Sequence, residues 1–64
     1  MTARQTRAKI KRIAKKYGSY RALADKLSYY FTDNDKTISG SGTYQWYVRG
    51  IIPEYWAQYM DELD

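Results

Sequence analysis

The chain has 64 residues, 44% of them hydrophobic and 28% charged, with a formal net charge of +4 and neither Cys nor His. Disulfide scaffolds, zinc fingers and catalysis by Cys or His are excluded outright. So short a chain buries only about 60% of its unfolded surface, so its eight Tyr, two Trp and one Phe must supply much of the core volume.

Residues 2–17 are predicted as helix 1. Ile10, Ile13, Ala14 and Tyr17 fall at i, i+3, i+4 and i+7, one apolar stripe on an otherwise basic surface. Gly18 is a natural stop, because glycine accepts the left-handed backbone that a helix end requires. Residues 1–21 hold Arg4, Arg7, Lys9, Lys11, Arg12, Lys15, Lys16 and Arg21 without one acid, whereas 22–64 set Lys26, Lys36 and Arg49 against all seven acids. A block of like charges repels itself and does not help a small domain fold. That favours a polyanion met by the N-terminal third over a merely solvated face.

Helix 2 starts at Ser19, a good cap, and runs to about Leu27 with Tyr20, Leu23, Ala24 and Leu27 on its apolar side. Tyr29-Tyr30-Phe31-Thr32 and Thr37-Ile38-Ser39 favour strand, and Asp33-Asn34-Asp35 between them is turn chemistry. A small hairpin or loop across about 29–38 is expected, with an extension of helix 2 and a polar loop as the alternative.

Helix 3 spans about 41–49, closed by Gly50. Gly40 and Gly42 offer a bare backbone at its start that another chain can approach closely. Helix 4 begins at Pro53, which suits a first turn, with Glu54 favourable to the dipole. Ile52, Trp56, Tyr59, Met60 and Leu63 give its stripe. Trp46 and Trp56 are read as core anchors.

These residues carry a resemblance. Ala22-Leu23-Ala24-Asp25-Lys26-Leu27 is similar to the positioning helix of the Cro/repressor-type helix-turn-helix proteins of phages and bacteria. Ile38-Ser39-Gly40-Ser41-Gly42-Thr43-Tyr44-Gln45-Trp46 is similar to their recognition helix, and Gly50-Ile51-Ile52-Pro53 to the exit of small Cro-like proteins. The family joins Leu to Ile through one residue, whereas ten residues, 28–37, separate Leu27 from Ile38 here. Thr43 stands where the family carries an aliphatic residue. The resemblance implies an all-α, four-helix DNA-binding domain over 1–64, with Ala24 letting the two helices cross closely. It implies a small transcriptional regulator, a Cro-like repressor of phage type, binding double-stranded DNA as a homodimer in the cytoplasm of a bacterial host.

If helix 3 enters the major groove, the residues off its Thr43/Trp46/Tyr47 stripe face the bases: Ser39, Ser41, Tyr44, Gln45, Val48 and Arg49. Gln45 can pair with adenine, Arg49 with guanine or a phosphate, and Val48 can meet a thymine methyl. Ser39, Gly40 and Ser41, with the amides of the helix start, suit a phosphate oxygen. Arg4, Arg7, Lys11, Lys15 and Arg21 are expected on the phosphate backbone. Tyr55 and Tyr59, if exposed, make a dimer patch.

Other function classes find less support. Asp33, Asn34 and Asp35 resemble part of a calcium loop, but no Gly and no closing Glu follow at the required spacing. No metal, cofactor or small-molecule ligand is expected, and the chain is read as a non-enzyme. No apolar run has membrane-spanning length, so no membrane partner is expected. An excisionase or architectural DNA-binding factor, and a protein-binding inhibitor on the same scaffold, are the alternatives.

Overall fold

The computed structural model describes residues 2–30 and 37–64. It contains four helices, α1 (Ala3–Tyr17), α2 (Tyr20–Tyr30), α3 (Gly40–Arg49) and α4 (Glu54–Leu63), with no strand among the described residues. The all-α expectation therefore holds for those residues. No helix among them is long and apolar enough to cross a membrane.

Local chemistry sets most of the helix ends. Thr2 caps α1 by accepting the Gln5 N–H, while the Gln5 side chain accepts the Thr2 N–H at 2.9 Å, a reciprocal capping box. Gly18 closes it at φ 116°. Ser19 Oγ accepts the Ala22 N–H at 3.0 Å at the head of α2. Ser39 does the same for Gly42 at 3.1 Å, so α3 begins at Gly40, one residue earlier than predicted. Pro53 stands at the cap of α4 rather than in its first turn, its carbonyl accepting from Trp56 and Ala57.

The expected hairpin is corrected at both of its described ends. Tyr29 and Tyr30 continue α2, so the alternative of an extended helix 2 is the one that holds there, and Thr37 and Ile38 belong to no strand. Strand propensity loses here to an i,i+4 contact: the Lys26 ammonium sits 4.6 Å from the centroid of the Tyr30 ring, a pairing only a helix provides. The expected Asp33-Asn34-Asp35 turn lies outside the described residues.

Ile10, Ile13, Leu23, Leu27 and Met60 are fully buried, and Trp46, Trp56 and Leu63 nearly so. Each aliphatic burial contributes about 1.5–3 kcal/mol. The two indoles meet at 6.1 Å between centroids, which ties α3 to α4. Tyr17, Tyr20, Ile38, Tyr47, Ile52 and Tyr59 pack around this centre half-buried.

Thr43 is as buried as the aliphatics. Its hydroxyl reaches the carbonyls of Gly40 (2.8 Å) and Tyr20 (3.2 Å). A polar side chain is therefore accommodated at a core position by tying α3 to the start of α2. Beside it, a Cβ built on Gly40 would lie 3.0 Å from Arg21 Cα. The bare backbone of Gly40 is thus spent on packing against α2 and is not open to an approaching chain, contrary to the expectation above. Ala24 is buried, and the close approach falls at Gly40.

Candidate nucleic-acid interface

The outer side of α3 presents Ser39, Ser41, Tyr44, Gln45, Val48 and Arg49, all exposed, opposite buried Thr43 and Trp46. A ten-residue helix is about 15 Å long, enough to lay this face along a groove. At its N-terminal end Ser39 Oγ lies 3.2 Å from Ser41 Oγ, and the first-turn N–H groups point outward with the positive end of the helix dipole. Arg21 stands immediately beside them, through its contact with Gly40. At the other end lies Arg49. Gly50 follows in the left-handed conformation (φ 72°), donating its N–H to the Trp46 carbonyl at 2.8 Å.

The basic helix α1 divides into two flanks. Lys9, Arg12 and Lys16 recur at i, i+3 and i+7 and turn to α4. Lys9 pairs with Asp61. Arg12 binds Asp64 through Nε at 3.0 Å and Nη2 at 2.6 Å. Lys16 Nζ and the Tyr17 hydroxyl both donate to the Leu63 carbonyl at 3.2 Å, satisfying an orphan carbonyl at the end of α4. Arg7 turns to α3, donating from Nε to the Tyr47 carbonyl at 3.1 Å and from Nη2 to that of Val48 at 3.2 Å. Cations at a helix C-terminus also complement its dipole. Four of the eight positive charges therefore contribute to the fold, which corrects the view that the block does nothing for folding.

Arg4, Lys11 and Lys15 recur at i, i+7 and i+11, one outward stripe. They are exposed and make no hydrogen bond or ion pair among the described residues. The stripe runs on the outside of α1, whose first turn backs onto the end of α3: a Cβ on Gly50 would lie 2.7 Å from that of Ala3. Cations unpaired among the described residues thus stand at both ends of α3, Arg21 at its start and Arg4, next to Ala3, with Arg49 at its end, while Asp61 and Asp64 are paired with Lys9 and Arg12.

Three features escape sequence reasoning. Tyr20 meets Tyr44 edge-on (5.2 Å, 82°), and Tyr47 stacks on Tyr44 (5.9 Å, 25°). Burial foremost, then the neighbouring phenols of Tyr47 and Tyr44, push the Tyr20 phenol above its ordinary value of 10.0, so it stays neutral. The Tyr44–Tyr47 spacing of three is a visible signal, but the contact to Tyr20 is not. The second is the Ser28 hydroxyl, which bonds both backbone groups of Ile38. The third is the capping role of Arg7. Of the expected dimer patch, Tyr55 is exposed, whereas Tyr59 is half-buried against Trp56.

No protein family's sequence profile matches the chain, and no characterised protein or solved structure does either.

Proposed function

We propose that this chain is a sequence-specific double-stranded DNA-binding protein, a small Cro-like transcriptional regulator of phage type that lays α3 in the major groove. One observation carries the reading: cations unpaired among the described residues stand at both ends of the exposed face of α3, Arg21 at its start and Arg4 and Arg49 at its end, with Lys11 and Lys15 continuing the Arg4 stripe along α1, while Asp61 and Asp64 are paired with Lys9 and Arg12. Cations so placed attract a polyanion to the α3 side. Ser39 and Ser41 suit a phosphate oxygen at the helix start, and Gln45 and Arg49 are the base-pairing candidates. The resemblance to Cro/repressor-type helix-turn-helix proteins supports the same assignment. Binding as a homodimer, with Ile51 and Tyr55 in the contact, fits the short reach of one recognition helix. The run from Thr43 to Pro53 also resembles excisionases, which place a wing hairpin next. Here α4 follows, which favours the repressor reading.

The test is fluorescence anisotropy against a random-sequence duplex and the chain's own upstream DNA, at two salt concentrations. Binding that weakens steeply with salt and is tighter for one defined duplex supports the proposal. Absence of binding to either duplex at low salt overturns it and turns attention to a protein partner, sought by pull-down after nuclease treatment.

A further inference from the structure

The exposed face of α3 has an apolar centre. Tyr44 and Val48 lie four residues apart, hence on one stripe, and are 45% and 48% exposed. Polar Ser41 and Gln45 flank them. The Tyr44 ring is already fixed before anything binds, stacked on Tyr47 and met edge-on by Tyr20. Tyr20 belongs to α2, and the Thr43 hydroxyl reaches its carbonyl, so the three rings share the α2–α3 joint. Gln45 and Arg49 have no hydrogen-bonded partner among the described residues and must be ordered on binding, at an entropic cost that Tyr44 avoids.

A rigid apolar pair in a major groove meets hydrogen-bonding base edges with one apolar exception, the C5-methyl of thymine. Resting on the reading that α3 enters the major groove, we propose that Tyr44 and Val48 form a strip that selects thymine methyls. Tyr20 and Tyr47 are positioning residues that hold the Tyr44 ring to that task. The ligand class is a duplex with thymines at adjacent positions of each half-site.

The experiment is a selection of bound duplexes from a random pool with the wild-type chain, followed by exchange of each thymine for deoxyuridine, which removes the methyl and nothing else. One or two adjacent positions should each lose about fourfold in affinity, the worth of one buried methyl-sized group, with the salt dependence unchanged. Tyr44→Ala and Val48→Ala should each abolish the sensitivity at one position and leave the other. Tyr20→Phe should keep it, and Tyr20→Ala should weaken it while circular dichroism shows the helices intact. A selected duplex indifferent to every exchange, or a Tyr44→Ala chain with undiminished sensitivity, overturns the proposal while leaving sequence-specific binding in place. The deoxyuridine scan on the wild type decides the matter even if a variant fails to fold. Failure to enrich any sequence overturns the major-groove reading and this proposal together.

Discussion

The hydroxyl of Ser28 accepts the backbone N–H of Ile38 at 2.8 Å and lies 3.0 Å from the carbonyl of the same residue. One side chain therefore closes the connection at its base, and Ile38 enters the core beside Leu27 although ten residues separate them. Closing a longer loop costs little extra entropy, so a clamp of this kind holds the start of α3 to the end of α2 across the ten residues between Leu27 and Ile38.

Ser28→Ala removes both bonds and leaves part-buried backbone groups to find water. The expected loss is about 1–2 kcal/mol, read as a lower urea midpoint with an unchanged slope. A midpoint equal to wild type would mean that core packing of Ile38 alone holds the joint.

Gly50 is constrained twice, by its left-handed backbone and by Ala3. Gly50→Ala should cost about 1–2 kcal/mol for the backbone and more for the overlap with the Ala3 methyl. Adding Ala3→Gly should restore the second part and not the first, a coupling that a double-mutant cycle in urea measures directly.

The two flanks of α1 should separate in salt titrations of DNA binding. Arg4→Ala, Lys11→Ala and Lys15→Ala each reduce the slope of log affinity against log salt by about 0.9 and weaken all duplexes alike. Lys9→Ala and Arg12→Ala leave the slope unchanged, and Lys9→Ala, whose side chain is largely buried against Asp61, lowers the melting temperature instead. A slope change for Lys9→Ala matching that for Lys11→Ala would place the DNA on the α4 flank.

The hydrogen bond from Arg12 is the main cause holding the Asp64 carboxyl below its ordinary value of 3.8. Desolvation opposes it, and the charges of Arg12, Lys9 and Lys16 assist. A carboxyl depressed on folding adds stability above its unfolded value and loses that contribution as the pH falls through the native one. Asp64→Asn should therefore flatten part of the loss of melting temperature in acid below the ordinary carboxylate range. It should change little at neutral pH, where an exposed pair is worth little. An identical acid limb for the two chains would show that the pair does not form in solution.

Much of this architecture could be read from local pattern, because apolar spacing and caps act within a few residues. The stripe of Ile10, Ile13 and Ala14 marks the buried side of α1, and Ser39 and Gly50 bracket α3 to within one residue. The end of α2 was legible only as the alternative to a hairpin, since the strand preference of Tyr29 and Tyr30 is a weak prior that the Lys26–Tyr30 contact overrides. At the candidate site, the outward positions of α3 follow from its Thr43/Trp46 stripe. The division of the basic residues does not, because Lys9 and Arg12 find their partners 52 residues away. Nor does the Tyr20–Tyr44 contact, which only the α2–α3 crossing creates.

Gly40 approaches Arg21 at its Cα, so main chain sets the separation of α2 and α3 where their starts meet. Side chains that point away from that contact take no part in setting it. Ser41, Gln45 and Val48 can then be exchanged as a group with the frame left standing, so a library randomised at those three positions would vary preference without re-solving the fold. Such a scaffold drifts to new targets by small steps, provided glycine is kept at position 40.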